Sequence, residues 1–301
     1  MLDLLNSLPG AAAQGLVWGI AAIGIFITYR ILGIADLTVD GSICTGAAVC
    51  TVLITAGVPA WIAVVCAFIA GTVAGTVTGL LHVLLGIPDI LSGILTQMAL
   101  WSVNLKIMGK ANLSLPARSF DVLLSQLDNG KAIIVLAAAT ALTVAVLYLF
   151  FGTELGASIR ATGNNLPMSR AQGINTGVTT VIGLSISNGI VALSGALLAQ
   201  YQGYADINMG RGAVVIGLAA VVIGGAVTKK IGSNFALKLT GVAAGAVIYY
   251  LVYQVIIFAG FDTDLLKMFS AVVVACFLGI PYVTKKIRRA KALSAGGGKD
   301  A

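Results

Sequence analysis

Residues 131–151 read KAIIVLAAATALTVAVLYLFF, an apolar run whose first residue carries the only charge. A helix of about 20 apolar residues is long enough to cross the hydrocarbon core of a bilayer. Comparable runs recur along the chain, at 11–29, 60–87, 178–199 and 236–258. The pattern is typical of a protein that crosses a membrane many times.

The composition of the whole chain points the same way. Hydrophobic residues make up 58% of its 301 residues and charged residues only 10%, whereas a soluble domain carries about 25% charged residues. The length suits about eight to ten spans joined by short loops. We therefore predict an all-α fold, a polytopic membrane protein in which residues 1–301 form a single transmembrane domain.

Nine spans account for the apolar segments, predicted at 11–32, 40–56, 59–87, 88–108, 131–151, 178–199, 213–228, 235–257 and 267–284. Two of them, 40–56 and 213–228, are short and rich in Gly and Ala. Short or interrupted segments can be broken or re-entrant helices that line a cavity.

Basic side chains set the predicted orientation, because Lys and Arg accumulate on the cytoplasmic side of a membrane protein. The segment 285–301 is the most basic part of the chain, so we expect the C-terminus to be cytoplasmic. Counting back nine spans places the N-terminus and the 109–130 loop outside and the 152–177 loop inside. Because residues 1–6 lack the basic region of a secretory signal, we expect them to belong to the mature protein.

A weak internal repeat appears at an offset of 170 residues. GIADLTV at 33–39 aligns with GYADINM at 203–209, and the repeats extend over about 14–108 and 178–284. In the nine-span scheme five spans separate Asp36 from Asp206, so the two copies run in opposite directions. Inverted repeats with a substrate path between them are a transporter architecture. The alternative is a coincidence in a biased composition.

Polar side chains in and near the two repeat turns are candidates for lining the translocation path, since a charge in a membrane usually faces a cavity or a partner. These are Asp36, Thr38, Asp40, Asp89, Asp206 and Asn208. The alternative role is helix capping. Asp40 or Ser42 would cap the helix that follows the first turn, and Asp89 after Pro88 is a favourable helix start.

Glycines recur at every fourth position in Gly71, Gly75 and Gly79, and again in Gly241 and Gly245. Small residues on one helix face let a neighbouring helix approach closely. The spacing predicts tight packing, either within one subunit or at a dimer interface.

The longest polar segment predicted inside is the 152–177 loop, which contains the only glutamate, Glu154. Residues 155–162 can form a short helix with Arg160 on its polar side, and 167–171 can form a second. Short amphipathic helices in a cytoplasmic loop offer a docking surface for a partner. The alternative is a solvated connector.

The sequence lacks several motifs that would indicate an enzyme. It has no G-x-x-x-x-G-K-[ST] phosphate loop and no G-x-S-x-G nucleophile elbow. The lone His82 has no H-E-x-x-H partner, and the four cysteines show no zinc spacing. We predict no catalytic residue, no cofactor and no metal site. One function that these features allow is ion-coupled secondary transport, with Asp36 and Asp206 as ion or proton sites.

Three segments resemble permease subunits of the branched-chain amino acid and ribose class of bacterial ABC importers. They are residues 33–41, 154–174 and 217–225, and the resemblance covers about 14–285. It is closer still to a branch linked to aromatic amino acid uptake, notably of tryptophan or tyrosine. Asp40 stands where sugar permeases usually run directly from Val to Gly, which weakens a sugar assignment.

The resemblance implies a type II ABC importer-like fold in the bacterial inner membrane. It implies a dimer of permeases, which we expect to be a homodimer, two ABC ATPase subunits docked on 154–173, and an extracytoplasmic substrate-binding protein. Gly156 and Gly163 would allow close approach to the ATPase groove. The residues assigned to ATPase coupling are Glu154, Leu155, Gly156, Ser158, Arg160, Ala161, Thr162, Gly163 and Arg170.

Overall fold

The structure is a computed structural model that describes residues 2–229 and 234–258 together with positions 268, 271, 272, 275 and 279. Its helices are α1 (Leu2–Phe26), which continues as a π-helical segment (Ile27–Leu32), α2 (Thr38–Thr55), α3 (Ala60–Leu84), α4 (Asp89–Met108), α5 (Asn129–Gly152), α6 (Glu154–Asn164), α7 (Leu166–Ala171), α8 (Thr176–Gln202), α9 (Ala213–Thr228) and α10 (Phe235–Phe258). Two three-residue strands, β1 (Asn112–Ser114) and β2 (Tyr204–Asp206), pair antiparallel.

The prediction of an all-α polytopic membrane protein is confirmed. Within the described ranges, seven helices are long and apolar enough to cross a membrane: α1 with its π-helical segment, α2, α3, α4, α5, α8 and α10. The predicted span at 213–228 coincides with α9, which is apolar but shorter. The predicted ninth span at 267–284 and the basic segment 285–301 lie outside the described residues, apart from isolated positions in the span.

The centre of the bundle is the antiparallel pair of α1 and α8. Three polar side chains of α8, seven residues apart, donate hydrogen bonds to backbone carbonyls of α1: Ser187 to Gly24 (2.8 Å), Ser194 to Val17 (2.7 Å) and Tyr201 to Gly10 (3.3 Å). Seven residues are two helical turns, so the three donors share one face of α8. They fix the register between the two helices.

The remaining long helices pack around this pair in a crossed arrangement. Helix α8 packs on α3 and α2, whereas α1 packs on α10 and α9. The glycine face of α3 contacts α8 closely, with Gly71 against the Asn188 carbonyl and Gly75 against the Leu184 carbonyl. On α10, Gly245 similarly meets the Ala220 carbonyl of α9. Of the two alternatives left open by the glycine spacing, the structure therefore places this packing within the subunit.

The outer helices α3, α4 and α5 each expose an apolar face, whereas most of α1, α2 and α8 is buried. Trp61, Ile69, Leu95, Ile134 and Leu149 are examples of these exposed side chains. Such faces suit lipid chains or another membrane-embedded subunit, because water would penalise so large an apolar surface.

Candidate functional site

Helix α2 begins in the interior of the bundle and not at its edge. Ser42 near its start bonds Asn188 of α8, and Cys50 near its end bonds Gln200, so α2 runs parallel to α8. Asn188 lies twelve residues into α8, about 18 Å along the helix axis. The segment that enters α2 therefore reaches deep into the bundle, as expected for a broken helix.

Helix α9 begins at the same place because Asp40 of α2 caps its N-terminus. The Asp40 carboxylate accepts hydrogen bonds from the backbone N–H groups of Gly212 (3.0 Å) and Val214 (3.1 Å). These are among the donors that an α-helix leaves unpaired at its start, and a carboxylate also complements the helix dipole there. Two helix N-termini from distant parts of the sequence thus meet inside the bundle.

This arrangement corrects the expectation that Asp40 or Ser42 caps α2. Helix α2 starts at Thr38, two residues before the predicted start, so both side chains already lie within its first turns. Asp36 supplies the bond at the start of α2 instead, since its Oδ1 accepts the Thr38 N–H at 2.9 Å.

Asp36 is buried in a network of neutral partners. Its Oδ2 accepts a hydrogen bond from Asn188 Nδ2 at 2.6 Å, and Asn188 Oδ1 accepts one from the Ser42 hydroxyl at 2.6 Å. The Thr38 hydroxyl also bonds that of Thr78 on α3 at 2.8 Å. The network joins α2, α3 and α8. Sequence reasoning missed Asn188, although an amide within the apolar run 178–199 was a usable signal.

The second repeat turn reproduces the local geometry of the first. Gly33 and Gly203 both adopt left-handed backbone conformations, with φ of 74° and 79°. Asp206 Oδ1 accepts the Asn208 N–H at 2.8 Å, as Asp36 accepts that of Thr38. Asp206 Oδ2 also accepts a bond from Asn112 Nδ2 at 3.3 Å, beside the β1–β2 pair.

The structure does not bring Asp36 and Asp206 together. Asp36 contacts α8 at Asn188, whereas Asp206 follows the end of α8 at Gln202. Asp206 lies near Cys44 of α2 instead, since the Cys44 thiol bonds the carbonyl of the neighbouring Ile207 at 3.3 Å. Asp89 belongs with the first turn, because its Oδ1 accepts the Ile90 N–H (2.9 Å) and its Oδ2 the Ala35 N–H (3.4 Å).

The loop assigned to coupling contains two short helices, α6 and α7, with a capped start. Thr153 Oγ1 accepts the Gly156 N–H at 3.3 Å, and Glu154 lies in the first turn of α6, where a negative charge is favourable. Ile159 and Thr162 face the bundle, and Thr162 bonds Thr179 of α8 at 2.9 Å. Leu155, one turn before Ile159 at the N-terminal end of α6, is 55% exposed.

Gly156 and Gly163 face the permease itself, which corrects the expectation that they admit an ATPase groove. Gly163 lies against the backbone carbonyl of Ile31 in the π-helical segment, and Gly156 lies against the backbone of Phe150 and Phe151. A side chain at either position would push α6 away. Gly163 therefore lets α6 pack against the end of α1, and Gly156 lets it pack against the end of α5.

Two of the other predicted coupling residues make hydrogen bonds within the loop or to the start of α8. Ser158 donates a hydrogen bond to the Glu154 carbonyl (2.8 Å), and Arg170 Nε donates one to Thr176 Oγ1 (3.0 Å) at the start of α8. Arg160 lies over the Phe235 ring, with its guanidinium carbon 5.9 Å from the ring centroid. Ala161 is half-buried, beside a cavity of about 1220 Å³ that four basic residues line: Arg30, Arg160, Lys229 and Lys238.

His82 has a local structural partner, because its Nδ1 bonds the Ile87 carbonyl at 2.8 Å beyond the end of α3. In the described part of the chain, no group of three or more His, Cys, Asp or Glu side chains is placed to hold a metal ion. Cys44 and Cys50 are buried in α2; Cys276 lies outside the described residues.

Comparison with known proteins identifies the family. The model of the family "Branched-chain amino acid transport system / permease component" matches residues 8–278. A tyrosine transport system permease protein of Clostridioides difficile (strain R20291) is 37% identical over 96% of this chain and 96% of its own length. An uncharacterised protein of Rickettsia prowazekii (strain Madrid E) is 34% identical over 89% of this chain and 95% of its own.

The chain is also similar to an autoinducer 2 import system permease protein of Salmonella typhimurium, but over a shorter stretch. The two are 31% identical over 84 residues, which is 24% of the length of that relative. No solved structure matches the chain. The family match and the two long alignments agree with the apolar helical bundle and its interrupted helices. The chain therefore belongs to the branched-chain amino acid type of permease components, and it is a membrane-spanning permease subunit of an ABC importer.

Proposed function

We propose that this permease forms the translocation path for an amino acid, with an aromatic amino acid such as tyrosine or tryptophan favoured. The similarity to a tyrosine transport system permease over nearly the full length of both chains supports the aromatic class. The buried start of α2 and α9 supplies the polar groups that such a path needs inside an otherwise apolar bundle.

The observation that best supports an ATP-driven mechanism is the packing of α6 against the end of α1. Its inner face is fixed by Gly163 against Ile31, while Leu155 and the polar side of Arg160 remain outside that contact. The π-helical segment leads directly into the turn at Asp36, which starts α2. A force applied to α6 would therefore reach the interior of the bundle through backbone contacts.

We expect this permease to work with three kinds of partner. Two ATPase subunits dock on 154–173 and hydrolyse ATP, an extracytoplasmic binding protein delivers the substrate, and a second copy of this chain completes the path. The 152–177 loop and the C-terminus are cytoplasmic. Packed helix interfaces switch between discrete arrangements, so ATP binding on α6 would rock the helices between two access states.

The repeat is proposed to be inverted. At the offset of 170 residues, α1, α2 and α3 correspond to α8, α9 and α10. Helix α8 packs on α3 and α2. Its counterpart α1 packs in the same way on their counterparts, α10 and α9. Such reciprocity is what an approximate two-fold axis relating the halves would produce.

The docking proposal is tested by placing a charge at the exposed Leu155 of α6. Leu155→Glu should reduce co-purification of the ATPase from membranes at least about tenfold, because a desolvated charge in an apolar contact is strongly unfavourable. The matched control is Leu127→Glu, the same substitution at a leucine that is 69% exposed in the 109–130 loop, outside the proposed docking segment. Uptake of L-[³H]tyrosine is measured in parallel.

Loss of both ATPase recovery and uptake in Leu155→Glu, with both retained in the control, is the expected result. ATPase recovery at the wild-type yield in Leu155→Glu would show that α6 is not the docking element. A wild-type importer that takes up no amino acid would reject the substrate class.

A further inference from the structure

A cavity of about 220 Å³ opens beside the starts of α2 and α9, and α4 forms its other wall. Its lining includes Asp40, Gln97, Trp101, Asn104 and Arg211. A water molecule occupies about 30 Å³ in the liquid, so the space holds about seven waters. That is a suitable size for one small solute.

Helix α4 presents three of these side chains on one face. Gln97, Trp101 and Asn104 are spaced four and three residues apart, which aligns them along a helix. Gly41 of α2 packs closely against α4 at Leu100 and Gln97, and the neighbouring Asp40 and Cys44 line the cavity from the α2 side. Trp101 stays 47% exposed at the mouth of the cavity.

Asn104 is fully buried and only partly satisfied. Its Nδ2 donates a long hydrogen bond to the Gly41 carbonyl at 3.4 Å, and its Oδ1 has no partner among the described residues. Buried amides almost always have partners for both groups, and leaving one of the groups unpaired is unfavourable. A ligand with N–H donors would remove that cost.

The charges at the cavity are one acid and one base. Asp40 caps α9, and no ion pair joins it to Arg211 within the described ranges. An exposed guanidinium is free to bind a carboxylate in two-point fashion. A neutral solute with separated charges of both signs would match this lining better than a cation or an anion would.

We propose that this cavity is where the permease recognises its amino acid substrate within the path. Arg211 binds the carboxylate, Asn104 and Gln97 accept from the ammonium group, and Trp101 packs on an aromatic side chain, as aromatic pairs favour. Asp40 keeps α9 in place and adds negative charge on the ammonium side. The inference rests on the proposed function and names the residues that select the substrate.

The test measures L-[³H]tyrosine uptake at substrate concentrations below half-saturation, where a loss of affinity lowers the rate, in cells that produce the complete importer. Trp101→Ala and Asn104→Leu should each lower uptake at least about tenfold, the factor expected for losing one good binding contact. Trp101→Phe, which keeps an aromatic face, should stay within about threefold. Val103→Ala is the matched control, since Val103 is exposed on α4 but does not line the cavity.

Two further measurements separate recognition from folding and docking. ATPase co-purification should remain at the wild-type level in every variant, because α4 lies away from α6. In Met98→Cys, at an exposed lining position, L-tyrosine should slow alkylation by N-ethylmaleimide, and Trp101→Ala should abolish that protection.

If the wild-type importer takes up tyrosine and the variants Trp101→Ala and Asn104→Leu take it up equally well, the inference about the cavity is wrong while the proposed function stands. A parallel loss of ATPase recovery would also overturn it, because the residues would then be structural. Absence of amino acid uptake by the wild-type importer would reject the proposed function itself.

Discussion

At the scale of single residues, two neighbouring aspartates on one short segment serve different helices. Asp36 accepts the first N–H of α2 and holds Asn188 of α8, whereas Asp40 reaches across to cap α9. Each carboxylate is placed against helix-start donors, where negative charge is stabilised. These acidic residues pair helix-start N–H groups where the two helices begin inside a membrane bundle.

The repeat provides a matched pair of substitutions for this idea. Asp36→Ala should lower the stability of the purified permease by about 1–3 kcal/mol, because Asn188 Nδ2 and the Thr38 N–H would lose a buried acceptor. Asp206→Ala removes the same turn bond at a more exposed site, where water replaces the acceptor. Its effect should be below about 1 kcal/mol.

The measurement is the midpoint of thermal unfolding in one detergent, followed by intrinsic fluorescence. Equal shifts for Asp36→Ala and Asp206→Ala would contradict the importance assigned to the Asn188 network.

At the scale of elements, the contact between α3 and α8 depends on the absence of side chains. Gly71, Gly75 and Gly79 each face backbone or side-chain atoms of α8 that a Cβ would overlap. Close helix contact matters more within a membrane than in water, because lipid provides no hydrophobic force between helices. The close contact between α3 and α8 therefore positions Asn188 against Asp36.

Gly75→Ala should destabilise the bundle by about 1–3 kcal/mol, since the added methyl group meets the Leu184 backbone and the helices must separate. The control Gly225→Ala adds the same methyl group within α9, where nothing lies within 4 Å. There the better helix propensity of Ala should leave stability unchanged or slightly higher. A thermal unfolding series of both variants compares them. Similar destabilisation in both would show that close packing at α3 is not the cause.

At the scale of the whole molecule, the first helix of each half packs against the other half. Helix α1 packs with α9 and α10, and α8 packs with α2 and α3. Neither half can therefore bury its own apolar faces alone. The exposed faces of α3, α4 and α5 leave room for lipid and for a second copy of the chain. The cavity next to α4 lies on this outer side of the subunit.

The orientation of the molecule is tested by cysteine accessibility, in a chain whose native cysteines are replaced by Ala. Ser119→Cys in the 109–130 loop should react with a membrane-impermeant maleimide on intact cells. Gln172→Cys in the 152–177 loop should react only after permeabilisation. Both positions are exposed, so burial would not explain a difference. The reverse labelling pattern would show that the cytoplasmic assignment is inverted.

The sequence by itself determined the class of protein and most of its helices. Repeated apolar runs of about 20 residues, with few charges in the whole chain, indicate helices that cross a membrane. The repeat turns were also readable, because Asp36 and Asp206 are rare charges in matching local patterns. Local chemistry was enough for these features.

Only the tertiary structure decided what those residues contact. Asp40 was expected to cap its own helix but caps α9, and Gly163 was expected to face a partner but packs on Ile31. Asn188, Asn104 and Arg211 gain their roles from helices far away in sequence. Hydrogen bonds and close packing between distant segments depend on helix register and depth, and one chain's local pattern does not specify them.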